Sequence, residues 1–564
     1  MLPAPMRAPF RRSPPPALLG LLALGMLAAA APVPLAARAA EADQTIGLLR
    51  VGIGAAALAL WAFGFGARRA GRPAPSPRAS AARRVALAAL AALALASNYN
   101  FFLWTGLHTH ELFHYYLGSK YFPELGYFRL YECSLQALQA DGRPLPAGLT
   151  DITDLRSKRR RPAQEVLASA APCRADFSEA RWAAFGHDVD AFRRVMGDEV
   201  FANALLDHGY NPSPVWTLFG RPLASLAPAT PAGLAMLSHI DLGLLVVLFS
   251  AIAWAFGSQA LFLAAIAWGA CGHTRYQWTG GALLRQLWLT AAVGAICLAR
   301  RRRDAAAGAS LALASLERVF PVLLFSGYAL QQLRRLLRER RLERRLVRFA
   351  AGAALAGCAL AVAGTVAAGR GVGVWREFGE NLATMTAFTP RNGLGLEYLL
   401  AFTRTPPAGV VVPDDPQALE TVIQDTKRAT LASRRWLYYG ALAGFAALFV
   451  RATWIDPGRL EAWEAIAMGA FLIPVLTMPA SYYFGFTLAA APLATRRPRI
   501  GSALLVAVLG SSLGIAGWQT RSPAFAISSF ALLVGCAWTL LELQLPARED
   551  RLSTGEASLS LRAP

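Results

Sequence analysis

The chain has 564 residues, 55% of them hydrophobic and 16% charged, with a formal net charge of +21. Its apolar residues fall in long uncharged runs, which excludes an ordinary soluble domain and a disordered chain. The arginines that dominate the charge form short clusters at 68–84, 300–303, 334–348 and 496–499 between those runs, a spacing that sets topology in a membrane and argues against nucleic acid as a partner.

Runs at 51–67, 85–96, 349–369, 436–450, 501–517 and 524–541 carry almost no charge and approach or reach the roughly 17–25 residues that cross hydrocarbon as helix. Backbone groups in hydrocarbon have no water to bond, so these runs must be helical. The expected fold class is all-α, a polytopic transmembrane helical bundle of about 12–14 spans with large outer loops.

In chain order, residues 1–40 read as a signal-like segment or first membrane anchor, because Arg7, Arg11 and Arg12 precede an apolar stretch and Ala37-Arg38-Ala39 has the small-x-small form of a cleavage site. Residues 41–105 hold membrane spans around an arginine-rich cytoplasmic linker, and 106–232 form the longest polar region, placed outside. Its basic run at 156–161 offends the positive-inside rule, which is weak for loops longer than about 60 residues. Spans fill 233–369, except that 305–333, interrupted by Glu317, Arg318 and Pro321 and flanked by arginines, is expected as two short helices that dip in and return. A second outer loop at 370–433, C-terminal spans at 434–545 and a cytoplasmic tail at 546–564 complete the threading, with no soluble domain and no repeat. Cys133 and Cys173 both fall in the first outer loop, where a disulfide formed in an oxidising compartment and two free thiols are equally ordinary readings.

The richest constellation is His108-Thr109-His110-Glu111-Leu112-Phe113-His114-Tyr115-Tyr116, just outside an outward-going span. Ionisable groups at a membrane boundary are expensive unless they are solvated or used. Solvated interfacial side chains account for His108 on its own. A second reading takes His110-Glu111-Leu112-Phe113-His114 as an H-E-x-x-H string, two imidazoles one helical turn apart for zinc with the glutamate to activate water, and Asp188, Asp207 or His208 as third ligand. That would make the chain an intramembrane zinc metalloprotease. A non-enzymatic lipid or polymer transporter or scaffold would use none of these groups chemically.

A third reading comes from a resemblance that covers about residues 84–495. Glu111 after a span, then Tyr115-Tyr116 and Gly126-Tyr127-Phe128-Arg129-Leu130-Tyr131, resembles the first outer loop of the GT-C superfamily of membrane glycosyltransferases. The most similar branch is that of the polyprenol-phosphate-mannose-dependent α-mannosyltransferases, in which aspartate is usual where Glu111 stands. In the same order, His208-Gly209-Tyr210-Asn211-Pro212-Ser213-Pro214 resembles the entry to the family's next span. Leu316-Glu317-Arg318-Val319-Phe320-Pro321, after the arginines at 300–303, resembles its cytoplasmic-side helix pair. Asn392-Gly393-Leu394-Gly395-Leu396-Glu397 resembles a short outer-loop segment, and Pro479-Ala480-Ser481-Tyr482-Tyr483 a late helical break. The insertion between Glu132 and Asp207 departs from the compact family loop.

The resemblance implies a bundle of GT-C type in a bacterial inner (plasma) membrane, with its active site facing outward. It would move a sugar, mannose in the branch concerned, from a polyprenyl-phosphate donor to an extracytoplasmic glycan, lipid or protein acceptor, with inversion. Glu111 is then the catalytic base, its pKa expected to rise beside apolar surface. The donor phosphate is expected on Arg275, Arg391 and His273, with His110, His114, Tyr115 and Tyr116 as further substrate-binding candidates. Catalysis without a cofactor and catalysis with a divalent ion beside Glu111 both remain open.

Overall fold

The computed structural model describes residues 36–69, 76–102, 107–387, 389–403, 416–454, 459–517 and 521–545. Most of the signal-like segment and the C-terminal tail lie outside them. The chain is an all-α helical bundle, and six of its helices are long and apolar enough to cross a membrane: Gln44–Gly64, Pro77–Asn98, Pro231–Phe256, Arg344–Ala368, Pro498–Gly517 and Ser522–Leu543. Local sequence sets their ends. Pro231–Phe256 begins where the Thr230 hydroxyl accepts the Gly233 N–H and a proline occupies the first turn, and it stops at Gly257, whose φ is 83°. The expected dozen or more crossings resolve, among the described residues, into these six, the shorter apolar helices Ser258–Ala270, Leu287–Arg300 and Ala462–Leu476, and further short or broken segments.

The four arginine clusters meet at one end of the bundle. The Trp61 indole donates to the Pro498 carbonyl at 2.7 Å, with the Arg83 guanidinium over its ring. Arg300 and Arg496 share Glu461, each at 3.1 Å. Arg497 and Arg496 both reach the fully buried Glu464, and Arg345 ties the 334–348 cluster to Asp304 at 2.8 Å. Charges so arranged are paired and level with one another, as a membrane boundary requires.

Several helices that rise from this end are short. Ser258–Ala270, Leu287–Arg300 and Asp304–Glu317 have 13 or 14 residues, about 20 Å at 1.5 Å per residue, against roughly 30 Å of hydrocarbon. The segment 305–333 is the expected pair of short helices, Asp304–Glu317 and Leu324–Glu339, parted where Arg318 turns extended (φ −135°) ahead of Pro321. The connections 271–286, 318–323 and 477–480 therefore form a floor part-way along the bundle, on which the polar region 107–232 and the segment 392–394 pack.

The polar region 107–232 is itself a folded layer. Leu112, Phe113, Leu117, Tyr131, Phe185, Phe192, Phe201, Tyr210 and Trp216 are buried in one hydrophobic cluster, joined to the bundle through Leu283, Leu284, Ala368 and Val374. The basic run at 156–161 is explained by a two-stranded antiparallel hairpin, Asp151–Asp154 with Arg159–Pro162. Asp154 closes its turn by accepting the Arg156 N–H at 3.0 Å and the Ser157 hydroxyl at 2.7 Å. Cys133 and Cys173 are bonded, with Cα atoms 5.5 Å apart. Closing a loop across a sequence separation of 40 is worth about 4 kcal/mol in chain entropy. The Cys133→Ser/Cys173→Ser protein should therefore melt at a markedly lower temperature in detergent, and an unchanged midpoint would count against the bond.

Candidate active site

Glu111 is placed by the floor beneath it. The His108 N–H donates to the Gly281 carbonyl at 3.0 Å, and the His108 ring accepts the Glu111 N–H at 3.3 Å, starting the short helix Thr109–Leu112. The helix then widens into a π-turn over Phe113–Leu117, a form often found at functional sites. From there the Glu111 carboxylate reaches Arg285 at 2.6 Å.

Arg285 is fixed just as firmly. The next backbone N–H, of Gln286, donates to Asp241 Oδ1 at 2.9 Å. The Arg285 guanidinium donates to the Trp278 carbonyl at 3.4 Å and lies 4.4 Å over the Tyr482 ring. Only 7% of its side chain is exposed. Burial alone would raise the pKa of Glu111, but the Arg285 guanidinium and then His108 outweigh it and hold the carboxyl down to about 2. This corrects the expectation of a raised base: the apolar surroundings are there, and so is a cation in direct contact.

A second guanidinium stands beside the first pair. Arg318 lies 3.6 Å from Glu317, the expected partner, and also donates to the Tyr115 hydroxyl at 3.3 Å, between the rings of Tyr115 and Tyr483 at 5.9 Å each. The second outer loop closes on the same floor. The Leu394 N–H donates to Pro479 O at 2.9 Å and the Ser481 N–H to Asn392 O at 2.7 Å, pairing 392–394 with 479–481. Gly395 makes that approach possible. Its φ is +108°, and a Cβ there would stand 2.3 Å from the Pro474 carbonyl.

No protein family, curated protein or solved structure matches the chain. The site is therefore interpreted from its own chemistry.

On the other side of Glu111, His110 Nε2 contacts Asp207 at 3.0 Å. Burial pulls the His110 pKa down and Asp207 more than reverses it, leaving it raised. Burial acts the other way on Asp207, and the bond from His110 holds that carboxyl well below its ordinary value. His114 is buried behind them, with Nδ1 2.8 Å from the His110 carbonyl and Nε2 2.7 Å from the Tyr131 hydroxyl.

The other expected residues fall outside this centre. The Tyr116 hydroxyl donates to Ala227 O at 2.7 Å and receives Lys120 at 3.0 Å. His273 is buried between Phe484 and Phe525, 5.6 Å from each ring. Arg275 lies over Trp278 at 5.8 Å, and Arg391, 68% exposed, pairs with Glu420. The two guanidinium groups at this centre are Arg285 and Arg318, and Arg275, Arg391 and His273 stand apart from it. Arg285 escaped notice because it opens what looks like a span, Leu283-Leu284-Arg285-Gln286-Leu287. Its signal was a lone arginine in an apolar run, which has to find a partner.

Proposed function

We propose that the protein is a membrane glycosyltransferase that moves a sugar from a polyprenyl-phosphate donor to a hydroxyl acceptor at the end of the bundle opposite the arginine clusters. By the positive-inside rule that end is the outer face of a bacterial-type inner membrane, and the Cys133–Cys173 bond agrees. One observation carries the reading. The segments that resemble GT-C enzymes, scattered over the chain, converge on one centre: Glu111 and Tyr115, Tyr210 with its ring 6.2 Å from Tyr115, Glu317 and Arg318, and the paired segments 392–394 and 479–481 leading to Tyr482 and Tyr483.

The acceptor oxygen would attack the anomeric carbon as its bond to the phosphate oxygen breaks, and the hydroxyl proton would pass to a carboxylate. Charge grows on the departing lipid phosphate, so fixed guanidinium groups stabilise the transition state more than the bound donor. Arg285 and Arg318 suit that task, with tyrosine faces beside them to exclude water. A phosphate that draws Arg285 away also leaves Glu111 buried without its cation, and burial then makes the carboxylate a better base. The zinc-protease reading needs Glu111 to face the two histidines, and its carboxylate is committed to Arg285 instead.

The test is transfer of radiolabelled sugar by the purified protein from polyprenyl-phosphate-mannose, compared with a polyprenyl pyrophosphate sugar and a nucleotide sugar. Transfer from the monophosphate lipid alone is expected. No transfer from any lipid monophosphate sugar would overturn the reading.

A further inference from the structure

His110, His114 and Asp207 each offer a ligand atom, all within 4.8 Å of one another. His108 and His208 flank the group, so that four of the chain's seven histidines gather around two carboxylates, Glu111 and Asp207. We propose that His110, His114 and Asp207 hold one divalent first-row transition-metal ion. The donor set, two imidazoles and a carboxylate, suits zinc, manganese, iron or cobalt and disfavours magnesium and calcium, which prefer oxygen ligands alone.

The surroundings are built for the purpose. His110 and His114 lie four residues apart on one turn. His114 Nδ1 lies 2.8 Å from the His110 carbonyl and Nε2 3.1 Å from the Ala204 carbonyl; with Nδ1–H donated to His110, the usual outer-shell arrangement of a metal-bound histidine, an ion would take Nε2 from its contact with Ala204 O. Nε2 also meets the Tyr131 hydroxyl at 2.7 Å. That hydroxyl accepts the Gly209 N–H at 2.9 Å, and an ion would displace it as well. Asp207 sits on backbone clamped by the hairpin: the Thr153 N–H donates to Leu205 O at 2.9 Å, and Lys158 Nζ donates to His208 O at 2.9 Å. The insertion between Glu132 and Asp207 thus acquires a role, to hold Asp207 against two histidines supplied by the membrane-proximal helix. The side chains of His110 and Asp207 are 29% and 42% exposed, which leaves a coordination position toward solvent, as catalytic sites require.

One consequence rests on the glycosyl-transfer reading. An acceptor hydroxyl bound at that open position would pass its proton more readily to Glu111, once the donor phosphate has drawn Arg285 off that carboxylate, because a bound cation stabilises the oxyanion.

The experiment uses purified full-length protein stripped with chelator and then equilibrated with zinc, manganese or magnesium, with bound metal measured by mass spectrometry and calorimetry. One zinc or manganese ion per chain is expected, and no magnesium. His110→Ala and Asp207→Asn, both at partly exposed positions, should each weaken binding by more than about 100-fold, beyond the loss of an outer-shell partner, while His187→Ala changes nothing. No saturable ion, or an ion retained by both variants, would overturn the site. Full sugar transfer by the stripped protein would overturn only the ion's part in catalysis and leave the glycosyl-transfer reading standing; a bound ion in a protein that transfers no sugar would do the reverse.

Discussion

Arg285→Gln should lose sugar transfer by about 10²–10³-fold and also lose stability. The guanidinium is 93% buried, and Glu111, its carboxylate partner, is 20% exposed; stripping one member from such a pair costs about 3–5 kcal/mol when the other stays ionised. The pair also makes stability depend on pH. Glu111 is held at about 2 against an ordinary 4.5, which corresponds to about 3 kcal/mol. Because the folded value is the lower one, that stabilisation is complete above pH 4.5 and is lost as the pH falls toward 2. Denaturant unfolding in detergent should show this acid loss in the wild type and not in Arg285→Gln. The double variant Glu111→Gln/Arg285→Gln removes both charges and should regain most of the stability that Arg285→Gln loses, without regaining activity. A wild-type transfer rate in Arg285→Gln would remove Arg285 from the mechanism.

The contrast between Arg285 and Arg275 marks how much of the site could be read in advance. Glu111 was legible because an acid just outside a span is costly unless used, and the break at 318–323 was legible because Glu317, Arg318 and Pro321 interrupt an apolar run. Arg275 and Arg285 lie ten residues apart in one connection, and nothing local distinguishes a cation stacked on its neighbour Trp278 from one that meets a carboxylate over 170 positions away. The apolar runs outnumber the long helices for a related reason. Hydropathy measures what avoids water, and the connection 271–286, with Cys271, His273, Thr274, Leu283 and Leu284 all buried, avoids water by being covered with protein, so it resembles the helices on either side of it. The long helices were the part that composition could locate, although they differ in burial: 61% of the apolar window of Pro498–Gly517 lies inside the protein. Only 6% of the apolar window in Arg344–Ala368 is buried inside the protein. The grouping of Asp207 with His110 and His114 is a property of the folded insertion, where a hairpin and a disulfide bring residues 151–173 back against the first outer helix.

Glu111→Gln separates the roles of the carboxylate. If the carboxylate takes the acceptor's proton, the amide cannot, and turnover should fall by about 10²–10⁴-fold. Binding of the donor should move the other way. Glutamine no longer holds Arg285 by charge, so the guanidinium is freer to meet a phosphate, and the donor KM should stay level or fall while kcat collapses. Arg285→Gln should instead raise the donor KM and lower kcat together. A carboxylate that merely anchored the arginine would give a different pattern: Glu111→Gln and Arg285→Gln would resemble each other in both constants, since each would act through a misplaced guanidinium. Stability gives the control. Glutamine retains a hydrogen-bond acceptor for Arg285, whose guanidinium also keeps Tyr482 beneath it and the Trp278 carbonyl beside it, so the cost of Glu111→Gln should fall at the low end for a broken buried pair, about 3 kcal/mol. Steady-state kinetics on the two variants, each checked by its melting temperature, decides the matter. Normal turnover in Glu111→Gln would favour a transporter or scaffold, which has no proton to move at this centre.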